Sequence, residues 1–288
     1  MTRAVAPFVA VVAVLAVLAL GAGGSGGAAV PRLSAVSGVA FDAANFPHGA
    51  AVDNRWLPLV PGMELVYEGS SVDGKKRLVF IVTDLVKVVG GVRNVVVWDR
   101  DYTNGELVEA ELAFFAQDRF GNVWHTGEYP EEYEGGKVVN APAWIVGVKG
   151  AQAGFEMKAA PRIGGPTYAQ GYAPPPVDWT DHAQVYKLEQ HECVPLTCYR
   201  HVLVTREYNP DEPGLWQLKY YAPGVGNIRV GWMGKDPDKE QAALVRLERL
   251  GPAALAHARA EALKLEARAY ATKPAVYGGT PRAVRLVR

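Results

Sequence analysis

The chain has 288 residues, 49% of them hydrophobic, so a sizeable core is available, and its 30 basic and 30 acidic residues cancel. With no long basic stripe outside the termini, the electrostatic footprint of nucleic-acid binding is missing, and DNA and RNA are excluded as partners. The length admits one large or two small domains, and all-β units often run to about 200–250 residues.

The N-terminus carries the clearest pattern. Arg3 supplies a positive flank, residues 4–20 are uncharged and broken only by Pro7, and GAGGSGGAA follows from Gly21. This is the layout of a secretory signal peptide over residues 1–22. An uncleaved anchor is the alternative, because such a run sits at the short edge of a membrane span. Membrane attachment is expected only through that segment, and the expected location is extracytoplasmic. Lipidation at an N-terminal cysteine is excluded, since the only cysteines are Cys193 and Cys198. Residues 23–52 read as a flexible lead-in, with FDAANFPHGAAVDN, including His48, wrapping the edge of the fold.

From Asp53 the pattern turns to strands. Pro61 and Gly62 make a turn before a strand over residues 63–68, and Asp73 with Gly74 is a hairpin signal between alternating runs. Strands over 76–85 and 92–102, parted by Gly90 and Gly91, extend this into an antiparallel meander. Residues 95–139 continue it with three turn signals and the densest mix of carboxylates and aromatics in the chain.

Three stretches resemble motifs of a family of exported bacterial β-rich proteins. DNRWLPLVPGMELVYEG from Asp53 is similar to D-N-P-Y-F-P-L-x-P-G-x-x-W-V-Y-E-G. AQDRFGNVWHTGE from Ala116 is similar to A-Q-D-x-x-G-N-V-W-Y-F-G-E, and KYYAPGVGNI from Lys219 to K-Y-Y-A-P-G-V-G. The resemblance spans residues 53–250 and implies export and a β-rich fold; it lends no catalytic residues. Where relatives read V-P-A-G-T-F, this chain has Val194-Pro195-Leu196-Thr197-Cys198-Tyr199. The turn glycine is replaced by Thr197 and cysteines bracket the segment, so a disulfide here would substitute for glycine's geometry.

Cys193 and Cys198 fit an oxidising compartment as a disulfide closing a small loop. Free thiols or a pair of metal ligands are the alternatives, with His191 and His201 as weak company. Residues 140–172 are loop-rich around a short WIVGVKG strand, and three consecutive prolines in APPPVDWTD force an extended segment. Strands at 183–190, 202–208 and 215–221 and a last one in 236–249 would complete the first sheet. The expected fold is mainly β: a meander over residues 53–250 forming a strongly curved sheet or barrel, lipocalin-like in general shape.

After Pro252, which suits a first helical turn, strong helix formers run through residues 251–272. Leu255, Ala258, Ala262, Leu265 and Ala269 share one face, so this is one C-terminal helix, packing on the β unit or serving as a partner or membrane-surface helix. Its polar face mixes charge signs, unlike a basic membrane-surface helix. Residues 273–288 form a basic tail with Arg282, Arg285 and Arg288, expected to be disordered.

Turn geometry gives the candidate site. If Asn104 and Gly105 make a two-residue type I′ turn, Tyr102 faces Leu107, Asp101 faces Val108 and Asp99 faces Ala110. Val95, Val97, Asp99 and Asp101 then share the apolar face with Val108, Ala110, Leu112, Phe114 and Ala116, while Arg100 pairs with Glu109 outside. A three-residue turn with Gly121 left-handed pairs Ala116 with Trp124 and Leu112 with Glu128, putting Trp124, Thr126 and Glu128 inside and His125 outside. A one-residue slip would flip them all.

Inward Asp99, Asp101 and Glu128 suit an acid/base pair, a calcium site, or polar groups satisfied at a sheet rim. Trp98, Phe114 and Trp124 are the candidate ligand-contacting aromatics, against a reading as core packing. His182, near Asp178 and Asp181, and His125 are general-base candidates by residue type only, and acids beside His182 would raise its pKa. No phosphate loop, nucleophile elbow or HExxH occurs, so no cofactor is expected and no metal ligands are assigned. The expected function is non-catalytic: binding a small apolar or amphipathic ligand or a cell-envelope protein. The alternatives are a hydrolase-like or calcium-binding protein using the inward carboxylates, and a structural envelope component.

Overall fold

The computed structural model describes residues 40–47 and 49–286; the signal segment, most of the lead-in, His48 and Arg288 lie outside the described residues. Alternating runs and glycine-bearing turns give eleven long strands. These are β1 (Met63–Ser71), β2 (Gly74–Val89), β3 (Val92–Thr103), β4 (Glu106–Gln117), β5 (Val123–Glu134), β6 (Gln152–Met157), β7 (His182–Cys193), β8 (Cys198–Tyr208), β9 (Leu215–Ala222), β10 (Gly226–Gly234) and β11 (Gln241–Arg249). The expected meander is present, and β10 is a further strand between those expected at 215–221 and in 236–249.

All belong to one antiparallel sheet in the order β7-β8-β9-β10-β11-β1-β2-β3-β4-β5-β6, with short strands at its margins. The first meander, β1–β6, and the second, β7–β11, join where β11 pairs β1 from Arg249 opposite Met63 to Gln241 opposite Ser70. The sheet is strongly curved but not closed, because β6 and β7 do not pair. Instead Tyr168–Ala169 pairs β7 and Gly171–Tyr172 pairs β6. Five consecutive residues thus lie between the two edges. Gly154 of β6 is needed there, since a Cβ would stand 2.3 Å from Ala169 O.

Curvature gives the sheet a concave interior and a convex outside, and both are buried. Leu65, Tyr67, Phe80, Val97, Phe115, Tyr221 and Leu244 form the apolar half of the interior. That half is stoppered by residues 54–59. Asn54 Oδ1 accepts from the Trp56 and Leu57 amides at 2.8 and 3.1 Å, while Trp56, Leu57 and Leu59 pack into the core.

The C-terminal helix, α1 (Pro252–Thr272), docks on the convex side over Val79, Ile81, Trp98, Leu112 and Phe114. Its buried face is Ala258, Ala262, Leu265, Glu266 and Ala269, close to the predicted stripe. The tail differs from expectation up to the last described residue: α2 (Pro274–Tyr277) is followed by Val284–Arg285, which pairs with Val86 and Leu85 of β2. Tyr277 is fully buried and its packing anchors that tail. At the other margin, Phe41 and Phe46 of the lead-in cover Trp124 at ring distances of 5.6 and 6.1 Å.

Cys193 and Cys198 are bonded. They face each other at the end of the β7–β8 hairpin, so the bridge ties the first residue after a tight turn to the last before it.

Candidate functional site

The turn at Asn104 (φ 52°) and Gly105 (φ 88°) has the two left-handed residues that a type I′ hairpin requires. Tyr102 faces Leu107 as expected. Beyond that pair the ladder shifts by one: Asp101 faces Glu109 and Asp99 faces Glu111, leaving Val108 as an extra residue in β4. A β-bulge of this kind puts two residues opposite one and re-aims every side chain after it.

The bulge corrects the β4 assignment. Asp99 and Asp101 are interior, buried beside Val95 and Val97 as predicted. Their neighbours on β4 are Glu109, Glu111, Ala113 and Phe115, not Val108, Ala110, Leu112, Phe114 and Ala116. Glu109 is therefore not an outer partner of Arg100 but an interior carboxyl. Phe114 is convex, with Tyr277 at 6.4 Å.

A second bulge acts on β5. Ala116 faces Trp124 as predicted, with Gly121 left-handed at φ 86°, but between Phe115–His125 and Phe114–Gly127 the residue Thr126 is skipped. Glu128 consequently faces Ala113 rather than Leu112. His125 and Glu128 point inward together, while the Thr126 hydroxyl lies 2.8 Å from Asn94 Oδ1 and 3.1 Å from Phe114 O, with one proton to give to either. Trp124 packs outside on Phe155, with Nε1 donating to Asp118 Oδ2 at 2.8 Å. Trp98 is also convex, under the Arg100 guanidinium. Of the predicted site residues, the structure brings Asp99, Asp101 and Glu128 to the interior and places Trp98, Phe114 and Trp124 on the opposite face.

The polar half of the interior holds far more acid than Asp99, Asp101 and Glu128. Glu109 and Glu111 come from β4, Glu156 from β6, Asp181 and Glu207 from the start and end of the β7–β8 hairpin, and Glu240 from before β11. All nine carboxyl residues are buried; among the described residues Lys76 and Lys219 are the buried cations beside them, and Arg100 also acts on Asp99. Lys219 is central: Glu207, Glu156 and Asp181 act on it, and it acts on Asp99, Glu111 and Glu240.

Burial sets the protonation of this cluster. Leaving water disfavours the charged form, so desolvation pushes Asp99 and Glu156 up to about 7, and Glu111, Asp181 and Glu240 up to about 8. Asp101, Glu109 and Glu128 are raised well above the carboxylate range, by burial first and neighbouring acids second. Glu111 and Glu128 lie against one another. Two carboxylates have no proton to share, but an acid and its conjugate base do.

His125 is the reverse case. Burial lowers its pKa to about 3, so the ring is neutral, Nε2 approaches Gly127 O at 3.2 Å and Glu128 Oε2 at 3.4 Å, and Nδ1 has no partner. His182 also corrects an expectation. It opens β7 as a buried residue, and burial lowers its pKa where nearby acids were expected to raise it.

Beside Glu128 and Asp181 stand Trp144 and Trp179, stacked at 5.2 Å with His125 edge-on to both. Their indole N–H edges face the Glu128 and Asp181 carboxyls without meeting them in good hydrogen-bond geometry. Other interior oxygens have no partner: both of Asp101, Asp99 Oδ2, Gln170 Oε1 and Glu240 Oε1. The sequence carried a signal for the acids, in the form of charged residues inside long strands. It carried none for the two tryptophans, which reach the interior from the 144–145 and 173–179 connections.

The hairpin turns after β1, β3, β8 and β10 all fall at this polar end. Asp73, Asp211, Glu212, Asp236 and Asp238 gather there and act on one another. The cysteines do not offer a metal site, since the sulfurs beside His191 are committed to each other.

No family model and no curated protein matches the chain. Among solved structures, similarity is found to a Bacteroides fragilis protein inferred to be exported, with a YmcC-like fold. It is 15% identical, with 68% of this chain and 99% of that one covered, at a TM-score of 0.41. A Parabacteroides distasonis protein inferred to be a lipoprotein is 12% identical, with 69% and 100% covered, at a TM-score of 0.32.

Proposed function

We propose that this is an exported, non-catalytic binding protein whose acidic interior takes up an alkylammonium cation in exchange for protons. The observation that carries the reading is the imbalance inside the sheet: among the described residues, nine buried carboxyls against two buried lysines, with several oxygens unpartnered. A buried acceptor without a partner costs about 1–3 kcal/mol, so such a set is expensive to keep unless something fills it.

The carboxyls are spread along the interior rather than gathered into one cage, which suits a chain of spaced ammonium groups better than a single metal ion. The Lys219 side chain already shows the accommodation, a four-carbon stem and ammonium lying 2.8 Å from Glu207 Oε2 with no exposure. Trp144 and Trp179 add aromatic surface, which favours organic cations. Apolar ligands are less suited, since the apolar half is filled by Trp56, Leu57 and the core. Export is supported by the N-terminal layout and by a disulfide, which persists in oxidising compartments.

The test is thermal unfolding with spermidine, calcium or 1,4-butanediol at pH 6 and pH 8.5. Spermidine is expected to raise the midpoint more at pH 8.5, above the values of about 7 to which Asp99 and Glu156 are raised, so that these two have lost their protons. Equal effects of spermidine and calcium would reduce this to charge screening and overturn the reading. Equal effects of spermidine and butanediol would do the same.

A further inference from the structure

On the convex side, away from the acidic interior, a cavity of about 820 Å³ opens where α1 begins. We infer that it binds a phosphate ester that also carries a hydroxyl, of the phosphoglycerol type, through Arg249, Arg259, Arg285 and Asp84.

The positive charge is built rather than scattered. Asp84, near the far end of β2, holds two guanidiniums on one oxygen: Arg259 of α1 donates from Nη1, and Arg285 of the tail strand from Nε at 3.1 Å. Arg249, at the end of β11, is tied by Nη1 to Pro61 O at 3.0 Å. Three guanidiniums against one carboxylate leave two net positive charges at the cavity. Each guanidinium has five N–H donors, and these contacts use one apiece. The remainder suit the forked oxygens of a phosphate.

The helix end adds to this. Pro252 has no N–H, the N-cap is Gly251 with no side chain to cap it, and the first turn carries no acid. The amides of Ala253 and Ala254 therefore lack intrahelical acceptors, at the positive end of the helix dipole.

A second observation points to the rest of the ligand. The other oxygen of Asp84, Oδ1, is buried without a partner although the residue lines the cavity. An anion alone would be repelled there; a hydroxyl on the same molecule would donate to it. Val60, Leu250 and Leu255 supply an apolar wall for the carbon skeleton.

The shared chemistry has two sources, a free glycerol phosphate or the headgroup of a phosphatidylglycerol membrane, and the experiment separates them. Titration calorimetry with glycerol 1-phosphate and co-sedimentation with phosphatidylglycerol or phosphatidylcholine vesicles are run on the full exported chain. The variants are Arg249→Gln, whose side chain is exposed, and Asp84→Asn, each with its unfolding midpoint measured. Saturable binding of glycerol 1-phosphate, weakened at least tenfold by R249Q, supports the site with a soluble ligand. Sedimentation with phosphatidylglycerol alone, lost in R249Q, supports it with a lipid headgroup. Absence of both, or binding unchanged in a folded R249Q, overturns it. Wild type should prefer glycerol 1-phosphate to inorganic phosphate, and D84N should lose that preference; a preference kept by folded D84N overturns the hydroxyl assignment.

Discussion

Lys219 Nζ stands 2.8 Å from Glu207 Oε2 in the interior, where the lysine side chain has no exposure and the glutamate almost none. At that separation the two form an ion pair, and further acids act on the same ammonium from around it. Burial alone would lower the lysine pKa, yet Glu207, Glu156 and Asp181 outweigh it and hold Lys219 above the usual range. The ammonium is the counterion of a whole cluster.

Replacing Lys219 by Met should therefore be severe at neutral pH. Removing one partner of a buried ion pair leaves an uncompensated charge and costs about 3–5 kcal/mol. Urea unfolding at pH 8 should show a loss of that order. At pH 5, where Glu156 and Asp181 hold their protons, the same variant should lose less. A loss independent of pH would mean that Lys219 acts by packing alone.

The raised carboxyls fix the sign of the pH dependence. Asp99 has a folded pKa of about 7 against an ordinary 3.8, and Glu111 about 8 against 4.5. A group raised on folding gives its full stabilisation below the unfolded pKa and loses it as pH climbs through the folded one. Glu156, Asp181 and Glu240 act the same way, so stability should decline from about pH 4 to about pH 8. His125 opposes this on the acid side. Its folded pKa is depressed to about 3, so its contribution is lost as pH falls below its ordinary 6.5. One histidine, with His182 a weaker second, stands against at least five carboxyls. The thermal midpoint should thus be higher at pH 5 than at pH 8.5 in ligand-free protein, and a midpoint rising over that range would contradict the buried assignments.

Glu128→Gln separates a needed proton from a needed charge. A carboxyl that is protonated inside the fold is nearly matched in shape and polarity by an amide, whereas an ionised one is not. Because Glu128 is raised well above the carboxylate range and presses on Glu111, E128Q should leave stability at pH 5 within about 1 kcal/mol. At pH 8.5 it should be more stable than wild type, since an amide keeps the contact with Glu111 without having to hold a proton. Denaturant midpoints at the two pH values read this directly.

These carboxyls also show how far the sequence could be followed. Asp99 and Asp101 were legible because Asn104 and Gly105 dictate a turn, and β3 runs from that turn without interruption to Val97 and Val95. Glu109 and Glu111 were not, because Val108 is an extra residue in β4 and reverses the parity just beyond the turn. The usual guide, that the more apolar face is the interior one, fails here for a physical reason. Val108, Ala110, Leu112, Phe114 and Ala116 are the more apolar set, but the convex face they lie on is itself buried, largely beneath α1 and Tyr277. Nothing local in the sequence brings Asp181, Glu207 and Lys219 together with Asp99. They reach the site only because the second meander curls back and β11 pairs β1, a contact about 180 residues apart in the chain. The helix, by contrast, depends on residues three and four apart, and its buried stripe was readable.

The docking of α1 rests on a second buried pair, and a double-mutant cycle should expose it. Lys87 Nζ donates to Glu266 Oε1 at 2.8 Å, to Tyr270 Oη at 3.0 Å and to Pro281 O at 2.9 Å, with neither charged side chain open to solvent. The ammonium also lies 5.2 Å from the Tyr277 ring centre, so helix, tail and β2 converge on it. Lys87→Met alone strands the Glu266 carboxylate, and Glu266→Met alone strands the ammonium; each should cost about 3–5 kcal/mol. The double variant leaves no orphaned charge and fills the space with apolar volume, so its loss should be smaller than the sum of the two. Both single variants should also expose the tail, raising amide exchange at Val284 and Arg285, which pair with β2 only at its outer end. Strictly additive losses would show that the pair is held by surrounding packing and that the charges do not act on each other.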